Sequence, residues 1–177
     1  MLYPVMIFIA VGSNLPHPKH GGPIDVCDAA VVAIGGAGCR VLNRSRWFRT
    51  APVPASDQPD FINGVVSVET TMNPAALLDS LHRIEAQFDR IRSVPNAART
   101  LDLDLIAYGE TVMKSPNSPV LPHPRMTDRA FVLYPLRDVA PDWVHPDRLH
   151  SVSELIDRLP ADQVCVPTDI HDVGQGV

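Results

Sequence analysis

The order of apolar patterns along the chain predicts an α+β fold, with a ferredoxin-like βαββαβ core in which helices pack on a mainly antiparallel sheet. Two helical patterns, which start near Pro23 and Asn73, separate runs of strand-forming residues. Long loops around that core would build the functional site. A chain of 177 residues can bury one core without disulfides, so we predict a single domain over residues 1–160 and a polar, loosely ordered tail over residues 161–177.

Composition and charge are those of an ordinary globular protein and argue against a general attraction to nucleic acid or membranes, a disulfide framework and a zinc site. Apolar residues make up 45% of the chain and charged residues 20%, as is ordinary for a globular protein in solution. The net charge of −5 gives no general attraction to nucleic acid or to an anionic membrane, so positive charge for an anionic ligand must be local. The three cysteines are odd in number and widely spaced, which favours reduced thiols over disulfides or a zinc site.

The apolar run over residues 5–11 predicts a fully buried strand, followed by a turn that begins at Gly12. It is too short for a membrane span and lacks the basic flank of a signal peptide. Together with the reduced thiols, this predicts a cytoplasmic protein. The sequence leaves the oligomeric state open, with a monomer as the simplest expectation.

The next elements are predicted from periodicity and from start and stop signals. Pro23, an apolar stripe and a pair of glycines at positions 35 and 36 predict a short amphipathic helix. Residues 40–49 and 61–70 are interpreted as strands. The link over residues 50–60 contains three prolines and is longer than most hairpin connections, so we expect a functional loop. Asn73 then starts a helix whose apolar stripe extends to Ile91.

The strand predicted over residues 99–109 carries the most unusual pattern. Leucines at alternate positions, and then Ala107, would face the core, whereas Asp102, Asp104 and Ile106 would face a cleft. At about 3.3 Å per residue, the aspartate Cα atoms would lie about 6.6 Å apart, close enough for both carboxylates to hold one hard cation or flank two. For an isolated D-x-D pattern, exposed aspartates on an edge strand are an equally good interpretation.

Upstream arginines favour the metal interpretation. Four of them lie within 17 positions: Arg83, Arg90, Arg92 and Arg99. A magnesium-bound polyphosphate needs carboxylates for the metal and guanidinium groups for the remaining phosphate oxygens. The chain has neither a P-loop nor a G-x-G-x-x-G pattern, and no nucleophilic triad stands out. His17 and His20 lie in a proline-rich loop and are interpreted as exposed residues rather than metal ligands.

Secondary structure near the end of the chain is predicted from weaker sequence signals. The proline-punctuated run over residues 114–125 is expected to be irregular. Residues 130–136 resemble another short strand or extended segment. Residues 151–159 are predicted to form a final helix, capped by Ser151 with Glu154 three positions later.

Taken together, the motifs resemble the 6-hydroxymethyl-7,8-dihydropterin pyrophosphokinase family over about residues 5–160. They are GSNL at residues 12–15, FRT at 48–50, DQPDFIN at 57–63, a glutamate at 85, RIR at 90–92, RTLDLD at 99–104, PHP at 122–124 and RAF at 129–131. A lone D-x-D would carry little weight, but RTLDLD in this order with the other motifs is highly specific.

The resemblance implies an enzyme of folate biosynthesis that transfers a diphosphoryl group from ATP to the hydroxymethyl oxygen of the pterin and releases AMP. It implies two magnesium ions held by Asp102 and Asp104, with Arg90 and Arg99 as further catalytic residues. The implied ATP-binding residues are Glu85, Arg92, Arg99, Leu105, His123 and Arg129. The implied pterin-binding residues are Thr50, Ala51, Val53, Phe61, Asn63 and Phe131, of which the two phenylalanines would sandwich the ring and Asn63 would read its edge.

Some positions depart from the family pattern. Asp89 stands where a glycine usually precedes the first catalytic arginine, and an acidic group beside Arg90 would weaken the local positive potential. Four other departures are Ala51 and Ala98 in place of frequent prolines, and Pro95 and Asn96 in a segment that often holds Arg or Trp.

The sequence also allows two other interpretations of its function. One is a ferredoxin-like small-molecule-binding regulatory domain without catalysis, because a fold alone does not determine function. The other is a metal-dependent phosphotransferase that acts on a different acceptor. Phe61, Asn63 and Phe131 argue against the latter, because they would suit a flat acceptor that is read at its edge.

Overall fold

Six antiparallel strands form one sheet in the computed structural model, which describes residues 5–90, 97–115 and 119–168. The order in the sheet is β5-β1-β4-β3-β6, and β2 also pairs with β4. The strands are β1 (Ile7–Ser13), β2 (Arg40–Arg44), β3 (Phe48–Thr50), β4 (Phe61–Glu69), β5 (Asp102–Tyr108) and β6 (Cys165–Pro167), and the helices are α1 (Pro23–Gly36), α2 (Pro74–Gln87), α3 (Ala130–Val139) and α4 (Val152–Ile156). The predicted α+β class with a mainly antiparallel sheet is therefore confirmed.

Helices cover both faces of the sheet. On one face α1 packs against β1 and α2 packs against β5, and Ile7, Ile9 and Leu81 belong to one buried cluster. On the other face α3 and α4 pack around Phe8 and Leu133. Full burial of each large apolar side chain stabilises the fold by about 1.5–3 kcal/mol. Successive residues of β1 thus enter two different cores, which explains its continuous apolar run.

Both predicted helix starts are confirmed, and one predicted helix end is wrong. α1 begins at Pro23. At the start of α2, Asn73 Oδ1 accepts the Ala76 N–H at 2.9 Å. α2 ends at Gln87 and does not extend toward residue 91, because Asp89 adopts a φ of 55°, in the left-handed region that ends helices.

The strand predicted over residues 40–49 is interrupted and forms β2 and β3. Trp47, which is 6% exposed, turns its ring into the core across Gly64 of β4. A Cβ at Gly64 would lie 2.5 Å from that ring. Ser45 still contacts β4, because its Oγ accepts the Val65 N–H at 2.9 Å. Between Arg44, opposite Val66, and Phe48, opposite Asn63, this segment has one residue more than β4, so the ladder is interrupted and pairing restarts at β3.

The alternation predicted over residues 99–109 is correct up to Leu105 and wrong beyond it. In the pairing with β1, Phe8 lies opposite Ala107 and the next residue of β1 lies opposite Leu105, so Ile106 is an extra residue in β5. Such a bulge disturbs the alternation of faces. Ile106 and Ala107 are consequently both buried in the core around Phe8, where we had expected Ile106 to face the cleft and Ala107 to face the opposite core.

Residues 130–136 are helical, and the prediction of a strand or extended segment is wrong. They belong to α3, in which Val132, Leu133 and Leu136 are fully buried against the sheet. Pro135 lies inside the helix and lacks an N–H, so the local sequence is a poor helix signal. Packing of the apolar stripe on the core around Phe8 decides the conformation.

The C-terminal part is more ordered than expected. The cap predicted for the last helix is confirmed, because Ser151 Oγ accepts the Glu154 N–H at 3.2 Å, although α4 is shorter than residues 151–159. The expectation of a loosely ordered tail is wrong for β6, in which Val166 pairs with Arg49 of β3. Residues 169–177 lie outside the described part of the chain, and the division at residue 160 stays a prediction.

Candidate active site

Asp102 and Asp104 lie on the same face of β5, as predicted. The leucines at 101, 103 and 105 are between 0% and 4% exposed in the core behind them. The aspartate side chains are only 25% and 32% exposed. β5 is the end strand of the described sheet, but cationic side chains rather than solvent surround the two carboxylates.

Asp102 is paired with two arginines. Arg99 Nη1 lies 2.9 Å from Asp102 Oδ2, and Arg90 Nη1 forms an ion pair with Oδ1 of the same carboxylate. The two arginine side chains are 18% and 13% exposed. Charge-assisted bonds between groups this buried are screened little by solvent. Asp102 therefore organises both predicted catalytic arginines.

Glu85 holds Arg90 from the side of α2. It is 1% exposed, its Oε1 accepts the Leu103 N–H at 2.8 Å, and the same oxygen forms an ion pair with Arg90. A buried carboxylate needs such partners to offset its lost hydration. Glu85 thus connects the end of α2, the backbone of β5 and the guanidinium group of Arg90.

Asp104 faces a second pair of cationic or polar groups. Arg129 Nη1 lies 3.6 Å and His123 Nε2 lies 4.0 Å from Asp104 Oδ2. Burial, and then the negative charge of Asp102, raise the pKa of the Asp104 carboxyl above its ordinary value. Additional positive charge at this position would therefore be favourable.

The orientation of His123 follows from its neighbours. Its ring Nδ1 accepts the Arg125 N–H at 3.2 Å, so the proton of the neutral ring is on Nε2, which faces Asp104. Burial lowers the pKa of His123, which keeps the ring neutral near pH 7. The His123 N–H donates to the Ile106 carbonyl at 2.8 Å and attaches this segment to β5.

Thr50, Phe61 and Asn63 lie together where β3 and β4 pair. Asn63 Nδ2 donates to Thr50 Oγ1 at 2.7 Å. A Cβ at Gly12 would lie 2.5 Å from Asn63 Oδ1, so the glycine of the GSNL motif leaves room for the amide across β1. The Asn63 amide is therefore held in one orientation.

A cavity of about 260 Å³ opens beside these residues. Its lining includes three predicted site residues, Val53, Phe61 and Arg99. The rest of the lining comes from the proline-rich loop: Pro52, Pro54, Ser56 and Gln58. The loop that we expected to be functional therefore shares a wall with the arginine that pairs with Asp102.

Each of the two predicted pterin-stacking aromatics lies beside an arginine of the charged cluster. The Cζ atom of Arg99 is 5.7 Å from the centroid of the Phe61 ring, and that of Arg129 is 5.2 Å from the centroid of the Phe131 ring. Cations at this distance are attracted to aromatic rings. The aromatic residues and the carboxylate–arginine cluster are thus adjacent.

The first turn of α3 is held by the C-terminal segment. Gln163 Oε1 accepts the Ala130 N–H and Gln163 Nε2 donates to the Asp128 carbonyl, both at 2.8 Å. These two backbone groups flank Arg129, and Phe131 follows directly. Gln163 therefore anchors the turn from which two predicted site residues project, and no local pattern in the sequence indicates this contact.

Asn14 is a further residue whose role the sequence did not reveal. Its Oδ1 accepts the Arg99 N–H at 2.8 Å, while its Nδ2 donates to the Pro59 carbonyl at 3.1 Å and to Gln58 Oε1 at 3.2 Å. Asn14 is 2% exposed and joins the proline-rich loop to the start of the aspartate segment. The only signal was its place in the GSNL motif.

Arg92 lies outside the described residues. Some other predicted residues lie apart from this cluster, and Arg83 is exposed on α2. Leu105 packs in the core beneath the carboxylates, and Ala51 is partly buried at the start of the proline-rich loop. His17, which we interpreted as exposed, is 3% exposed, because it packs against Phe88 and Asp89.

Two features of the described residues concern membranes and metal ions. No helix in the described ranges is long and apolar enough to cross a membrane. No group of three or more His, Cys, Asp or Glu side chains within the same ranges could hold a metal ion. An ion at Asp102 and Asp104 would therefore need further oxygen ligands from phosphate or water, as is usual for Mg²⁺.

Comparisons with known proteins place the chain among pterin pyrophosphokinases. It is 39% identical over 155 residues to the 2-amino-4-hydroxy-6-hydroxymethyldihydropteridine pyrophosphokinase of Pseudomonas aeruginosa, covering 87% of this chain and 91% of that protein. It is 38% identical to the protein of the same name from Synechocystis, covering 75% of this chain and 77% of that one. The chain is also 34% identical to the folic acid synthesis protein fol1 of Pneumocystis carinii, with 86% of this chain covered, but it spans only 20% of that protein's length.

Solved structures with a similar fold include HPPK-DHPS chains. One, in complex with substrates, superposes with a TM-score of 0.66 at 11% identity, covering 88% of this chain and 43% of that chain. Another, wild-type Plasmodium falciparum HPPK-DHPS with pteroate, gives a TM-score of 0.66 at 12% identity, covering 88% and 44%. At this identity the likeness concerns the fold.

The family model for 7,8-dihydro-6-hydroxymethylpterin-pyrophosphokinase (HPPK) matches residues 8–141, which contain the whole cluster around Asp102 and Asp104. The chain therefore belongs to the HPPK family.

Proposed function

We propose that the chain transfers a diphosphoryl group from ATP to 6-hydroxymethyl-7,8-dihydropterin in folate biosynthesis. The hydroxymethyl oxygen bonds to the β-phosphorus and loses its proton to solvent. The bond between the β-phosphorus and the oxygen that bridges it to the α-phosphorus breaks, so AMP leaves and the pterin diphosphate is the other product. The observation that carries this proposal is the pair Asp102 and Asp104 within a ring of arginines, in a chain of the HPPK family.

Asp102 and Asp104 fit a site for two magnesium ions. Two carboxylates share one face of β5, and burial, followed by the negative charge of Asp102, raises the pKa of Asp104, so a bound cation would favour its ionised form. Magnesium, when bound with ATP, would neutralise phosphate charge and orient the reacting oxygens. The oxygens of the two aspartates would be the protein's contribution to its ligands.

Arg90 and Arg99 would bind phosphate oxygens in place of Asp102. Without ligand, both guanidinium groups are paired with that carboxylate. Phosphate and carboxylate present similar oxygen geometry to arginine, so each guanidinium can change partner without being left unpaired. Charge contacts that strengthen as negative charge builds up on the phosphates lower the barrier of transfer.

The remaining nucleotide-binding roles follow from the family motifs. His123 presents its Nε2–H toward the carboxylates, and Arg129 lies between Asp104 and Phe131, which supports contacts of both with the nucleotide. Arg92 would contribute a further guanidinium. Glu85 and Leu105 are buried beneath the cluster and would shape the nucleotide site from behind.

The pterin would lie between Phe61 and Phe131, with Asn63 at its edge. An amide offers one acceptor and two donors, which suits the amide-like edge of a pterin. Thr50 orients that amide, and the backbone around Ala51 and Val53 would complete the pocket. The location of Phe61 beside Arg99 supports a pocket that opens toward the phosphates.

Measurement of AMP formation tests this function. The protein is incubated with MgATP alone, with the pterin alone and with both, and we expect AMP only when both are present. AMP formed at the same rate without pterin would point to another acceptor, such as water. Pterin binding without AMP formation would favour the regulatory, non-catalytic interpretation.

Three further proposals concern the whole protein: its location, its oligomeric state and its domain boundary. We infer a cytoplasmic monomer in which residues 1–160 form one domain. Light scattering of the purified chain tests the monomer, and cell fractionation tests the location. A variant truncated after residue 160 tests the domain boundary, although loss of Gln163 and β6 would weaken the hold on α3.

A further inference from the structure

His17 lies in the loop between β1 and α1, and its ring is buried against the end of α2. Its side chain is 1% exposed, and its Nε2 lies 3.0 Å from Asp89 Oδ2. The loop is closed on itself, because the His17 N–H donates to the Gly21 carbonyl at 2.8 Å and the Gly21 N–H donates back at 2.9 Å. The ring also packs beside Phe88, with centroids 6.0 Å apart. His17 is therefore a rigid contact point for Asp89.

The neighbours of His17 determine where its proton resides. The Lys19 N–H donates to Nδ1 at 3.1 Å, so Nδ1 must be an acceptor. The proton of the neutral ring is then on Nε2 and points at the Asp89 carboxylate. His17 can donate this hydrogen bond without carrying a charge.

Asp89 occupies the position in a helix end where glycine is usually favoured. The Asp89 N–H donates to the Ala86 carbonyl and the Arg90 N–H donates to the Glu85 carbonyl, both at 3.2 Å. These two bonds, with a left-handed residue between them, make a Schellman motif. Asp89 has the required φ of 55°. This left-handed conformation is higher in free energy for a residue with a side chain than for glycine. The contact with His17 is available to offset that cost.

Arg90 is the residue that this turn delivers to the active site. Its backbone N–H is bonded to Glu85, and its guanidinium pairs with the carboxylates of Glu85 and Asp102. A change in the turn at Asp89 would move both attachments.

We propose that His17 is a positioning residue for the diphosphoryl transfer, which acts through Asp89 to hold the left-handed turn that directs Arg90 at the phosphates. This inference rests on the proposed function for its catalytic readout. It does not make His17 a catalytic residue, because the ring contacts Asp89 and not the reacting groups. Asp89, an acidic residue next to a proposed catalytic arginine, would then have a structural role.

Two conservative substitutions separate the contacts of His17. His17→Gln keeps a donor at the reach of Nε2, and His17→Asn keeps an acceptor for the Lys19 N–H but loses the donor to Asp89. His17→Asn should lower kcat about threefold to tenfold, the value of one hydrogen bond, with the KM for the pterin unchanged. His17→Gln should retain most of the activity. Both variants are first shown to have the thermal stability of a folded protein.

Asp89→Gly supplies the background in which the proposed contact cannot exist. Glycine adopts the left-handed turn without help, so His17→Asn should have no further effect on kcat there. The exchange of the Arg90 amide hydrogen gives a readout that needs no activity. His17→Asn should accelerate this exchange in the chain that retains Asp89 and leave it unchanged in the Asp89→Gly background.

The outcomes are distinct. A decrease in kcat that is the same in both backgrounds, or an unchanged amide exchange of Arg90 in His17→Asn, would overturn the positioning role. A kcat of His17→Gln as low as that of His17→Asn would also overturn it, because the donor would then be irrelevant. If the unmodified chain forms no AMP, the proposed function fails, while the amide exchange still decides whether His17 holds the turn.

Discussion

Asp102 and Asp104 are two positions apart, but their surroundings differ. Asp102 is matched by the guanidinium groups of Arg90 and Arg99, whereas Asp104 has a more distant arginine at 3.6 Å and a neutral histidine at 4.0 Å. The pKa of Asp104 is raised by burial and by Asp102. Asp102 therefore organises the arginines without ligand, and Asp104 is the carboxylate with the greater need for a cation.

Substitution of either aspartate should nearly abolish turnover and leave the fold intact. Asp102→Asn and Asp104→Asn each remove a carboxylate proposed as a metal ligand, and we expect a decrease in kcat of about 100-fold or more. The AMP assay measures the loss, and thermal unfolding checks the fold. Asp147→Asn is the matched control, since Asp147 pairs with Lys114 on the surface. Unchanged activity in either active-site variant would disprove the two-metal assignment.

Arg90→Ala and Arg99→Ala should lower kcat more than they weaken nucleotide binding. Contacts that strengthen in the transition state affect kcat, whereas contacts of equal strength in ground and transition states affect affinity. Calorimetric titration with an ATP analogue is compared with the AMP assay. Arg83→Ala, on the exposed face of α2, is the control and should change neither. Weaker binding with unchanged kcat would make the two arginines simple binding residues.

The pterin subsite can be tested by removing one group at a time. Asn63→Ala would leave polar atoms of the ligand unpaired, at a cost of about 1–3 kcal/mol in pterin affinity. Phe131→Ala should cost a comparable amount through lost burial and stacking. Titration of the pterin measures both. A loss that is negligible in both variants would show that the pterin binds elsewhere.

At the scale of secondary-structure elements, the site depends on contacts between segments far apart in the sequence. α2 is connected to β5 through Glu85, and the end of α2 is connected to the loop after β1 through His17. The first turn of α3 is connected to the segment before β6 through Gln163. The predicted site residues on α2 and α3 are therefore oriented by partners on other elements.

Gln163 offers the clearest test of this dependence. Gln163→Glu keeps the acceptor for the Ala130 N–H but loses the donor to the Asp128 carbonyl, so the turn that carries Arg129 should loosen. We expect about a threefold to tenfold decrease in kcat/KM, the value of one hydrogen bond. The AMP assay measures it, with Asp162→Ala, an exposed neighbour, as the control. An equal effect of both substitutions would argue against a specific role of Gln163.

At the scale of the whole molecule, the nucleotide and pterin subsites share side chains. Arg99 contacts Asp102 and lies over Phe61, and Arg129 lies between Asp104 and Phe131. Asn14 also joins the proline-rich loop to the backbone of Arg99. A ligand that repositions the arginines would thereby change the surroundings of both aromatic rings.

MgATP should therefore strengthen pterin binding. We expect it to order the loops of residues 50–60 and 93–98, of which residues 93–96 lie outside the described part of the chain. Coupling between sites is typically about 5- to 150-fold, and by linkage the pterin must strengthen nucleotide binding by the same factor. The pterin is titrated with and without a non-hydrolysable ATP analogue. Equal affinities would rule out the coupling.

The sequence by itself determined those features that depend on neighbouring residues or on a fixed period. The start of α2 at Asn73 follows from a cap and a proline, and the common face of Asp102 and Asp104 follows from the two-residue repeat of a strand. The family, and the expectation of which residues bind its ligands, followed from short motifs in a specific order. These signals lie within a few positions along the chain and can be read without coordinates.

The tertiary structure alone decided the features that depend on distant partners. α3 is helical because its apolar stripe packs on the sheet, in spite of Pro135, and Ile106 is buried because β1 skips it in pairing. His17 packs beside Phe88 and bonds to Asp89, which lies 72 positions later in the chain. The partner that determines each of these conformations lies outside any local window, so no periodicity, cap or turn signal could have indicated it.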